Sequence, residues 1–258
     1  MKKKRYVSLT FDVDGETLWT SRDDKNWERP VTRSHGAYGP KVGLPRILKL
    51  LRKYSIHATF YIPGWIIEQY GEEVRQIVDQ GHEIAHHGYL HEYPDTLDPH
   101  QEREILQLGI DIIKELTGRA PTGYRSPAWE FSAHTLGYLK EFGFKYSSNM
   151  MDDDAPYIHE NGVVELPVHW LMDDAPFFIF NPKMTGRVMQ PSRSVFDMWQ
   201  SEFAALYDEG KSVTMTFHPQ VIGRAHRVLL LEQFIQYILE FDDVEFTTAD
   251  HLADITKG

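Results

Sequence analysis

Residues 81–93 form the stretch of this chain with the densest set of potentially reactive side chains. Their sequence, GHEIAHHGYLHEY, holds four histidines and two glutamates within thirteen positions. Imidazole is the commonest side-chain metal ligand and it titrates near neutral pH, so the stretch could bind a metal ion or transfer a proton. Two histidine pairs have the four-residue spacing that puts side chains on one face of a helical turn: His82 with His86, and His87 with His91.

The first pair belongs to the sequence HEIAH, which matches the HExxH pattern of zinc proteases. That motif requires a continuous helix, whereas Gly81 precedes it, Gly88 follows it, and its apolar centre is typical of a short buried strand. We therefore favour the second pair, His87 and His91, which would lie where this strand ends. Surface or hydrogen-bonded histidines without an ion are the alternative until a third ligand is named.

Asp12 and Asp14 are candidates for that third ligand. They lie two residues apart in the segment TFDVDGE, so they would point to the same side of a regular strand. Two imidazoles and one carboxylate on zinc leave an open position for water, whose pKa the ion lowers toward ~7. The second carboxylate, beside that water, would be a general base. A turn or a helix cap is the alternative, since Asp and Gly are frequent in turns.

Composition limits the class of protein. The chain has 258 residues, of which 41% are hydrophobic and 25% charged, enough for one large domain with a substantial core. The net charge of −11 argues against a nucleic-acid or anionic-membrane partner. Cysteine is absent, which excludes disulfides and thiolate metal sites. The first apolar run ends at Asp12, too early for the core of a signal peptide, and we expect a cytoplasmic protein.

Strand-like and helix-like segments alternate along the chain. The predicted strands are residues 5–14, 57–62, 82–87, 122–126, 145–148, 163–170, 212–217 and 244–247. The predicted helices are residues 44–54, 65–80, 102–116, 132–142, 194–209 and 228–241, with a last short helix at the C-terminus; residues 15–39 are predicted as a long loop. This alternation favours parallel strand pairing, in either a (β/α) barrel or a doubly wound sheet.

Polar side chains follow many of these strands at their C-terminal ends. They are Asp12, Asp14, His87, Arg125, Asp173, Asp174 and His218. In a barrel the C-terminal ends of the strands converge on one mouth, whereas a doubly wound sheet would spread these residues along one edge. Polar residues from this many strands can meet most easily at the mouth of a barrel. We therefore favour an α/β fold of the barrel type, with seven or eight mostly parallel strands in a single domain.

Several short motifs together resemble the polysaccharide deacetylase family, in the order found there and over most of the chain. They are TFDVDG at residues 10–15, the His87 and His91 pair, RSP at 125–127, ELPVHWLMDDAPFF at 165–178, and TFHPQ at 216–220. The last two, with GRAHR at 223–227, are most similar to the branch of peptidoglycan deacetylases, cyclic imidases and allantoinases. The resemblance implies a distorted, incomplete (β/α) barrel over residues 1–258 and hydrolysis of non-peptide C–N bonds.

The resemblance also implies roles for individual residues. The divalent metal, usually zinc, would be bound by Asp14, His87 and His91. Asp12 resembles the general base and His218 the general acid that protonates the leaving nitrogen. Arg125 resembles the residue that pairs with the base and keeps it ionised. Asp173 or Asp174 would orient His218, and the sequence leaves open which of them does so.

The chain departs from the commoner family pattern at two positions. Val13 separates the usually adjacent aspartates, and Gly88 replaces the usual Ser or Thr after the first metal histidine. The separated aspartates are found in the branch named above, so this departure bears on the substrate more than on the chemistry. Some relatives in that branch lack a metal, but both histidines are retained here, and we expect the metal.

Two substrate classes stay open. N-deacetylation of an amino-sugar polymer, such as peptidoglycan or chitooligosaccharide, needs an open groove, whereas ring opening of a cyclic imide or ureide needs a small closed pocket. We rank N-deacetylation first. The candidate substrate-binding residues are Pro127, Trp129, Trp170 and Phe177, since aromatic side chains stack on sugar rings or enclose a planar heterocycle.

Two other classes of protein are compatible with parts of the pattern. A mononuclear iron oxygenase uses two histidines and a carboxylate, but it normally lies on an antiparallel β sandwich. A catalytically silent carbohydrate-binding barrel would keep the fold without the reaction. Assembly as a homotetramer is expected from the resemblance alone.

Overall fold

A curved sheet of mostly parallel strands is the centre of the fold. The computed structural model describes residues 4–180, 186 and 188–258. The strands are β1 (Arg5–Asp12), β2 (Thr59–Ile62), β3 (Glu83–His86), β4 (Gly123–Tyr124), β5 (Tyr146–Ser147), β6 (Tyr157–Ile158), β7 (Val164–Glu165), β8 (Val213–Phe217) and β9 (Val244–Phe246). Their order is β6-β7-β5-β4-β3-β2-β1-β8, and β9 also pairs with β1.

The predicted distorted, incomplete barrel is confirmed. Within the described ranges every strand pair is parallel apart from the antiparallel pair β6 and β7. Among the strands that the structure describes, the short strand β6 is the one that the sequence pattern did not predict. A mononuclear iron oxygenase normally lies on an antiparallel β sandwich, whereas this sheet is largely parallel. The observed fold therefore argues against that class of protein.

Helices cover the outer face of the sheet. They are α1 (Thr17–Thr20), α2 (Pro30–Tyr38), α3 (Leu44–Tyr54), α4 (Gly64–Gln69), α5 (Gly71–Asp79), α6 (Pro99–Thr117), α7 (Thr135–Glu141), α8 (Ala175–Phe178), α9 (Ser192–Asp208), α10 (Pro219–Ile222), α11 (Ala225–Ile238) and α12 (Ala249–Lys257). Within the ranges given above, none of these helices is long and apolar enough to cross a lipid bilayer.

The prediction of a loop over residues 15–39 was wrong, because α1, a 3-10 turn (Asp24–Glu28) and α2 lie there. The sequence of α2, PVTRSHGAY, has no continuous apolar stripe, so periodicity gave no helical signal. Tertiary contact holds the helix instead. A Cβ atom on Gly36 would lie 2.5 Å from the Cα atom of Glu16, so α2 packs backbone to backbone against the segment that follows β1.

Two further elements differ from prediction. The single helix expected over residues 65–80 is divided into α4 and α5 at Tyr70, whose φ and ψ are −127° and 35°. The hydroxyl of Tyr70 donates a hydrogen bond of 2.6 Å to the buried Glu16 carboxylate, and this contact accompanies the break. The strand expected over 163–170 is reduced to β7, because Pro167 has no N–H group for a ladder.

Strand β1 brings the polar residues of the sheet to one mouth. Its register with β8 pairs Phe11 with Phe217, so Asp12 and His218 follow at the same level of adjacent strands. Phe11 packs toward the helices, with its ring 5.0 Å from that of Phe60. Because side chains alternate along a strand, Thr10 and Asp12 then point into the barrel.

Candidate active site

A cluster of side chains that could hold a metal ion, which we call the metal-ligating cluster, lies at the C-terminal mouth of the barrel. The ligand atoms of Asp14, His87 and His91 lie within 4.8 Å of one another, and all three side chains are buried. Oδ1 of Asp14 is 3.3 Å from Nε2 of His87 and 3.9 Å from Nε2 of His91. This buried oxygen accepts no hydrogen bond from any residue that the structure describes. A cation would satisfy it, so the cluster fits a divalent ion with nitrogen and oxygen ligands.

The backbone aims both imidazoles at Asp14. Nδ1 of His87 lies 2.7 Å from the carbonyl oxygen of Arg125. A carbonyl oxygen only accepts, so Nδ1 carries the proton and Nε2 presents its lone pair to the cluster. Gly88 and His91 both have positive φ, 75° and 63°, so the two histidines are joined by a turn and not by a helix. Glycine at position 88 suits this turn, because positive φ costs glycine little.

Burial and mutual attraction set the charges of the cluster. Burial lowers the pKa of His91 to about 3, so its ring is neutral and free to bind an ion at neutral pH. Burial opposes ionisation of Asp14, but the imidazoles of His91, His87 and His218 outweigh it and lower the pKa of Asp14 to about 2. A neutral imidazole beside an ionised carboxylate is the state that ligates a metal.

Asp12 forms a buried ion pair with Arg125. Nη1 of Arg125 lies 2.8 Å from Oδ1 of Asp12 and 2.8 Å from the hydroxyl of Thr10. The other guanidinium nitrogens donate to the carbonyl oxygen and the hydroxyl of Ser148, and the guanidinium carbon lies 4.0 Å from the centroid of the Tyr61 ring. Arg125 is therefore held from several sides, and it fixes the carboxylate of Asp12 at the mouth.

His218 pairs with Asp174. Oδ1 of Asp174 lies 2.7 Å from Nδ1 of His218, and its Oδ2 accepts the backbone N–H of His218 at 3.1 Å. Asp173 is farther from that ring, at 3.6 Å, and it accepts the backbone N–H of Ala175. Of the two aspartates that the sequence left open, Asp174 makes the hydrogen bond that orients the ring.

The two aspartates keep His218 protonated. Burial opposes a charge on its ring, but the carboxylates of Asp173 and Asp174 outweigh burial and raise the pKa of His218 well above its ordinary value. Burial, with the nearby charge of Asp174, raises the pKa of Asp173, whereas the charge of His218 opposes that rise. Nε2 of His218 lies 3.7 Å from Oδ2 of Asp14, so an imidazolium proton faces the metal-ligating cluster from the opposite side.

The four residues that were predicted to bind substrate lie in different environments. The rings of Trp129 and Trp170 stack with centroids 4.1 Å apart, and Trp170 is 44% exposed. Pro127 packs beside Gly88, the glycine of the turn between His87 and His91. Phe177 packs against the hydrophobic core. A role in substrate binding stays a prediction for all four residues.

The remaining histidines of the HEIAHH segment point elsewhere. Nδ1 of His82 accepts the backbone N–H of Ala58, and Nε2 of His86 lies 3.1 Å from the carbonyl oxygen of Leu106. Both residues lie on or beside β3 in the sheet, so the segment is no HExxH helix.

Sequence reasoning missed neighbours of the cluster, among them Gln220, and one cavity. Nε2 of Gln220 donates to Oδ2 of Asp14 at 3.3 Å, and its place two residues after His218 was the available signal. A cleft of about 1210 Å³ opens beside the site, between the segment 19–46 and the start of α11. We call it the arginine cleft, after lining residues that include Arg22, Arg29, Arg46, Arg224 and Arg227.

Comparison with known proteins agrees with this geometry. The family model for polysaccharide deacetylase matches residues 36–147. A peptidoglycan deacetylase of Helicobacter pylori is 34% identical, in an alignment over 98% of this chain and 97% of that protein. A crystal structure from Mycobacterium smegmatis, classed as a polysaccharide deacetylase, is 39% identical with a TM-score of 0.95, covering 100% of this chain and 91% of that one.

An allantoinase structure is also similar. The structure of Puue allantoinase is 25% identical with a TM-score of 0.83, and the match covers 98% of this chain and 90% of that one. Similarity to both kinds of enzyme over nearly the full length agrees with the branch that the motifs indicated. This chain belongs to the polysaccharide deacetylase family and is a hydrolase of carbon–nitrogen bonds other than peptide bonds.

Proposed function

We propose that this protein is a metal-dependent deacetylase that removes N-acetyl groups from amino-sugar polymers such as peptidoglycan or chitooligosaccharide. The observation that carries the proposal is the meeting of three groups at one mouth: the Asp12 carboxylate, the metal-ligating cluster and the protonated ring of His218. Hydrolysis of an amide needs a base for water, a Lewis acid and an acid for the leaving nitrogen. The H. pylori relative supports the substrate class.

The cluster fits zinc, because its ligands are two imidazoles and one carboxylate. Bound there by Asp14, His87 and His91, the ion would supply Lewis acidity to water and to the amide carbonyl. In our proposal Asp12 takes a proton from water as the water oxygen attacks the acetyl carbon. His218 then gives its Nε2 proton to the nitrogen as the C–N bond breaks, which yields acetate and a free amine.

The size of the neighbouring cavity supports a large substrate. Pockets that enclose drug-sized molecules have volumes of ~300–1,000 Å³. The arginine cleft, at about 1210 Å³, is larger than a single imide or hydantoin ring requires. The stacked rings of Trp129 and Trp170, one of them exposed, offer an apolar platform on which a sugar ring could lie.

Ring opening of a cyclic imide or ureide is the second candidate. The similarity to Puue allantoinase favours it, since the same base, cluster and acid could hydrolyse an amide bond within a ring. A silent carbohydrate-binding barrel is the third. Two features argue against a silent barrel: the buried, unsatisfied oxygen of Asp14 and the fixed carboxylate of Asp12. A protein that only binds carbohydrate requires neither of them.

The test compares two substrates on purified protein of known metal content. Acetate release from an N-acetylglucosamine oligomer and loss of ring absorbance from hydantoin or succinimide are followed side by side. Chelation and Asp12→Asn should each reduce deacetylation, the variant by about 100-fold or more. Asp242→Asn, at an exposed aspartate away from the site, is the matched control and should keep full activity.

Each outcome decides between the candidates. Acetate release that is lost on chelation and in Asp12→Asn would support the deacetylase. Ring opening alone would replace it with an imidase-type enzyme. Binding of the oligomer without hydrolysis, unchanged in Asp12→Asn, would favour the silent barrel.

Three properties of the whole chain belong to the same proposal. We expect residues 1–258 to act as one catalytic domain, the protein to be cytoplasmic, and the chains to assemble as a homotetramer. Light scattering tests the last of these, and a monomeric mass would contradict it.

A further inference from the structure

The first turn of α11 carries an unusual concentration of positive charge. Arg224 is the N-cap residue, His226 and Arg227 follow it, and the first turn contains no acidic residue. The N-terminus of a helix is the positive end of its dipole, so basic residues there are unfavourable and acidic ones are favoured. Basic residues in the first turn do not stabilise the helix, so a bound anion is the better explanation for their presence there.

Arg227 is buried and forms no direct ion pair with any residue that the structure describes, although the charge of Asp174 acts on it from a greater distance. It is only 9% exposed, and its guanidinium donates to the carbonyl oxygen of Val221 and to the sulfur of Met189. Its Nε group finds no hydrogen-bond acceptor among the residues that the structure describes. Its guanidinium carbon lies 4.4 Å from the centroid of the Phe178 ring. Burial of an arginine with an unsatisfied donor is costly, and an anion that entered the cleft would offset that cost.

The rest of the arginine cleft has the same sign of charge. The guanidinium carbon of Arg224 lies 3.5 Å from the centroid of the Tyr38 ring, and Arg46 donates to the hydroxyl of Tyr38. Lining residues also include His35, whose pKa is lowered by burial and by the charges of Arg224 and Arg227. Among the described lining residues the one acid is Asp23. A basic cleft in a chain of net charge −11 points to an anionic ligand.

The cleft lies near the catalytic mouth, because Arg227 in its lining is close enough to Asp174 for the two charges to act on each other. On one wall, Arg22 follows Ser21, whose hydroxyl lies 3.3 Å from Nδ1 of His91. On the other wall, Phe178 ends the short helix α8, which begins directly after Asp174. These links place the cleft on the side of the mouth formed by His91 and Asp174, where a substituent of the substrate would have to lie to reach it.

We propose that the arginine cleft is a subsite for a carboxylate group of the substrate, bound by Arg224, Arg227 and the positive N-terminal end of α11. Guanidinium groups suit this role, because their planar donors match the two oxygens of a carboxylate. The inference rests on the proposed function only in assigning the carboxylate to the substrate. That carboxylate could belong to a sugar acid or to the half-amide formed when an imide ring opens.

The test measures binding separately from catalysis. Calorimetric titration of the full chain compares N-acetylmuramic acid, succinamate and the uncharged N-acetylglucosamine. We expect at least one of the two acids to bind about tenfold more tightly than N-acetylglucosamine, as expected for one hydrogen bond to a charged group. The acid that does so identifies the source of the carboxylate.

Arg224→Gln is the decisive variant, because Arg224 is half-buried and its main contact is the Tyr38 ring, so the fold should survive. It should weaken binding of the acid about tenfold and leave N-acetylglucosamine unaffected. The matched control is Arg193→Gln, which removes an exposed arginine from the first turn of α9. Thermal denaturation of each variant verifies folding.

The subsite and the proposed function can fail independently. Acid binding that depends on Arg224, in a protein that releases no acetate, would keep the subsite and overturn the deacetylase. Equal binding of charged and uncharged compounds, no binding of either acid, or an Arg224→Gln variant that binds the acid normally would overturn the subsite.

Discussion

At the scale of single residues, the charge of His218 depends on its two acidic neighbours. A buried histidine ordinarily loses its proton, as His91 shows with a pKa of about 3. His218 is equally enclosed but lies beside Asp173 and Asp174, which reverse the direction of the shift. Two imidazoles within one mouth thus carry opposite protonation states, as a metal ligand and a general acid require.

Asp174→Asn should move the pH dependence of hydrolysis. The raised pKa of His218 keeps the ring protonated at neutral pH, and activity should fall only as the pH rises through that pKa. Without the Asp174 carboxylate the pKa of His218 falls, so the loss of kcat/KM on the alkaline side should begin at lower pH. A pH profile of kcat/KM checks this, and an unchanged alkaline limb would show that His218 is not the acid.

The sequence predicted which residues meet at the mouth, but it did not show which of two neighbouring aspartates orients His218. Polar residues placed after parallel strands must converge, so Asp12, Asp14, His87, Arg125 and His218 could be found from the chain alone. The choice between Asp173 and Asp174 could not, because the two are consecutive. It depends on a bridge between Asp173 and Thr216 that leaves Asp174 directly beside His218.

At the scale of elements, the sequence is informative where apolar periodicity is strong. Helices α3, α6, α9 and α11 were predicted to within a few residues, because each presents a continuous apolar face to the sheet. The helical turns over 17–43, which include a π-helical turn at Gly39–Gly43, were missed, because close backbone contact holds them. A Cβ atom on Gly43 would lie 2.1 Å from the carbonyl oxygen of Pro219, so this segment depends on glycines whose partners are distant in sequence.

Gly109→Ala should destabilise the contact between α6 and β3. A Cβ atom at position 109 would lie 2.2 Å from Nε2 of His86, a fully buried ring that cannot move aside. We expect a loss of about 1–3 kcal/mol in the free energy of unfolding, as for other overpacked cores. Urea denaturation measures it.

The matched control is Gly137→Ala. Gly137 is an exposed residue of α7, and a Cβ atom there would meet nothing within 4 Å. Since alanine favours a helix over glycine, this variant should gain up to about 1 kcal/mol. If both substitutions changed stability equally, the close approach of α6 to His86 would not be the cause.

At the scale of the whole molecule, the sequence indicated the barrel but not the arginine cleft. The alternation of elements is a property of the entire chain, and it leads directly to a parallel sheet. Total charge is also a sum over the chain, and a value of −11 conceals a local surface of the opposite sign. Arg22, Arg46 and Arg227 are far apart in sequence, and only the packing of α11 against the segment 19–46 brings them together.

The buried histidines should make the whole protein sensitive to mild acid. Burial lowers the pKa of His82 and of His86 to about 4, whereas both titrate near their ordinary value of 6.5 in the unfolded chain. Between those values the unfolded state binds more protons, so the free energy of unfolding falls as the pH drops from 6.5 toward 4. Each such histidine contributes a slope of up to ~1.4 kcal/mol per pH unit in that window.

His82→Gln should reduce this slope, because unfolding of the variant should take up as much as one proton fewer than unfolding of the wild type. The residue lies away from the mouth, and a glutamine oxygen can still accept the backbone N–H of Ala58, so the fold should persist. Urea denaturation at pH 7 and pH 5, for wild type and variant, gives the number of protons taken up on unfolding. His100→Gln, at a histidine that is 79% exposed, is the control and should keep the wild-type slope. Identical slopes in wild type and His82→Gln would mean that His82 is already protonated in the folded protein, and acid sensitivity would then have to come from the carboxylates.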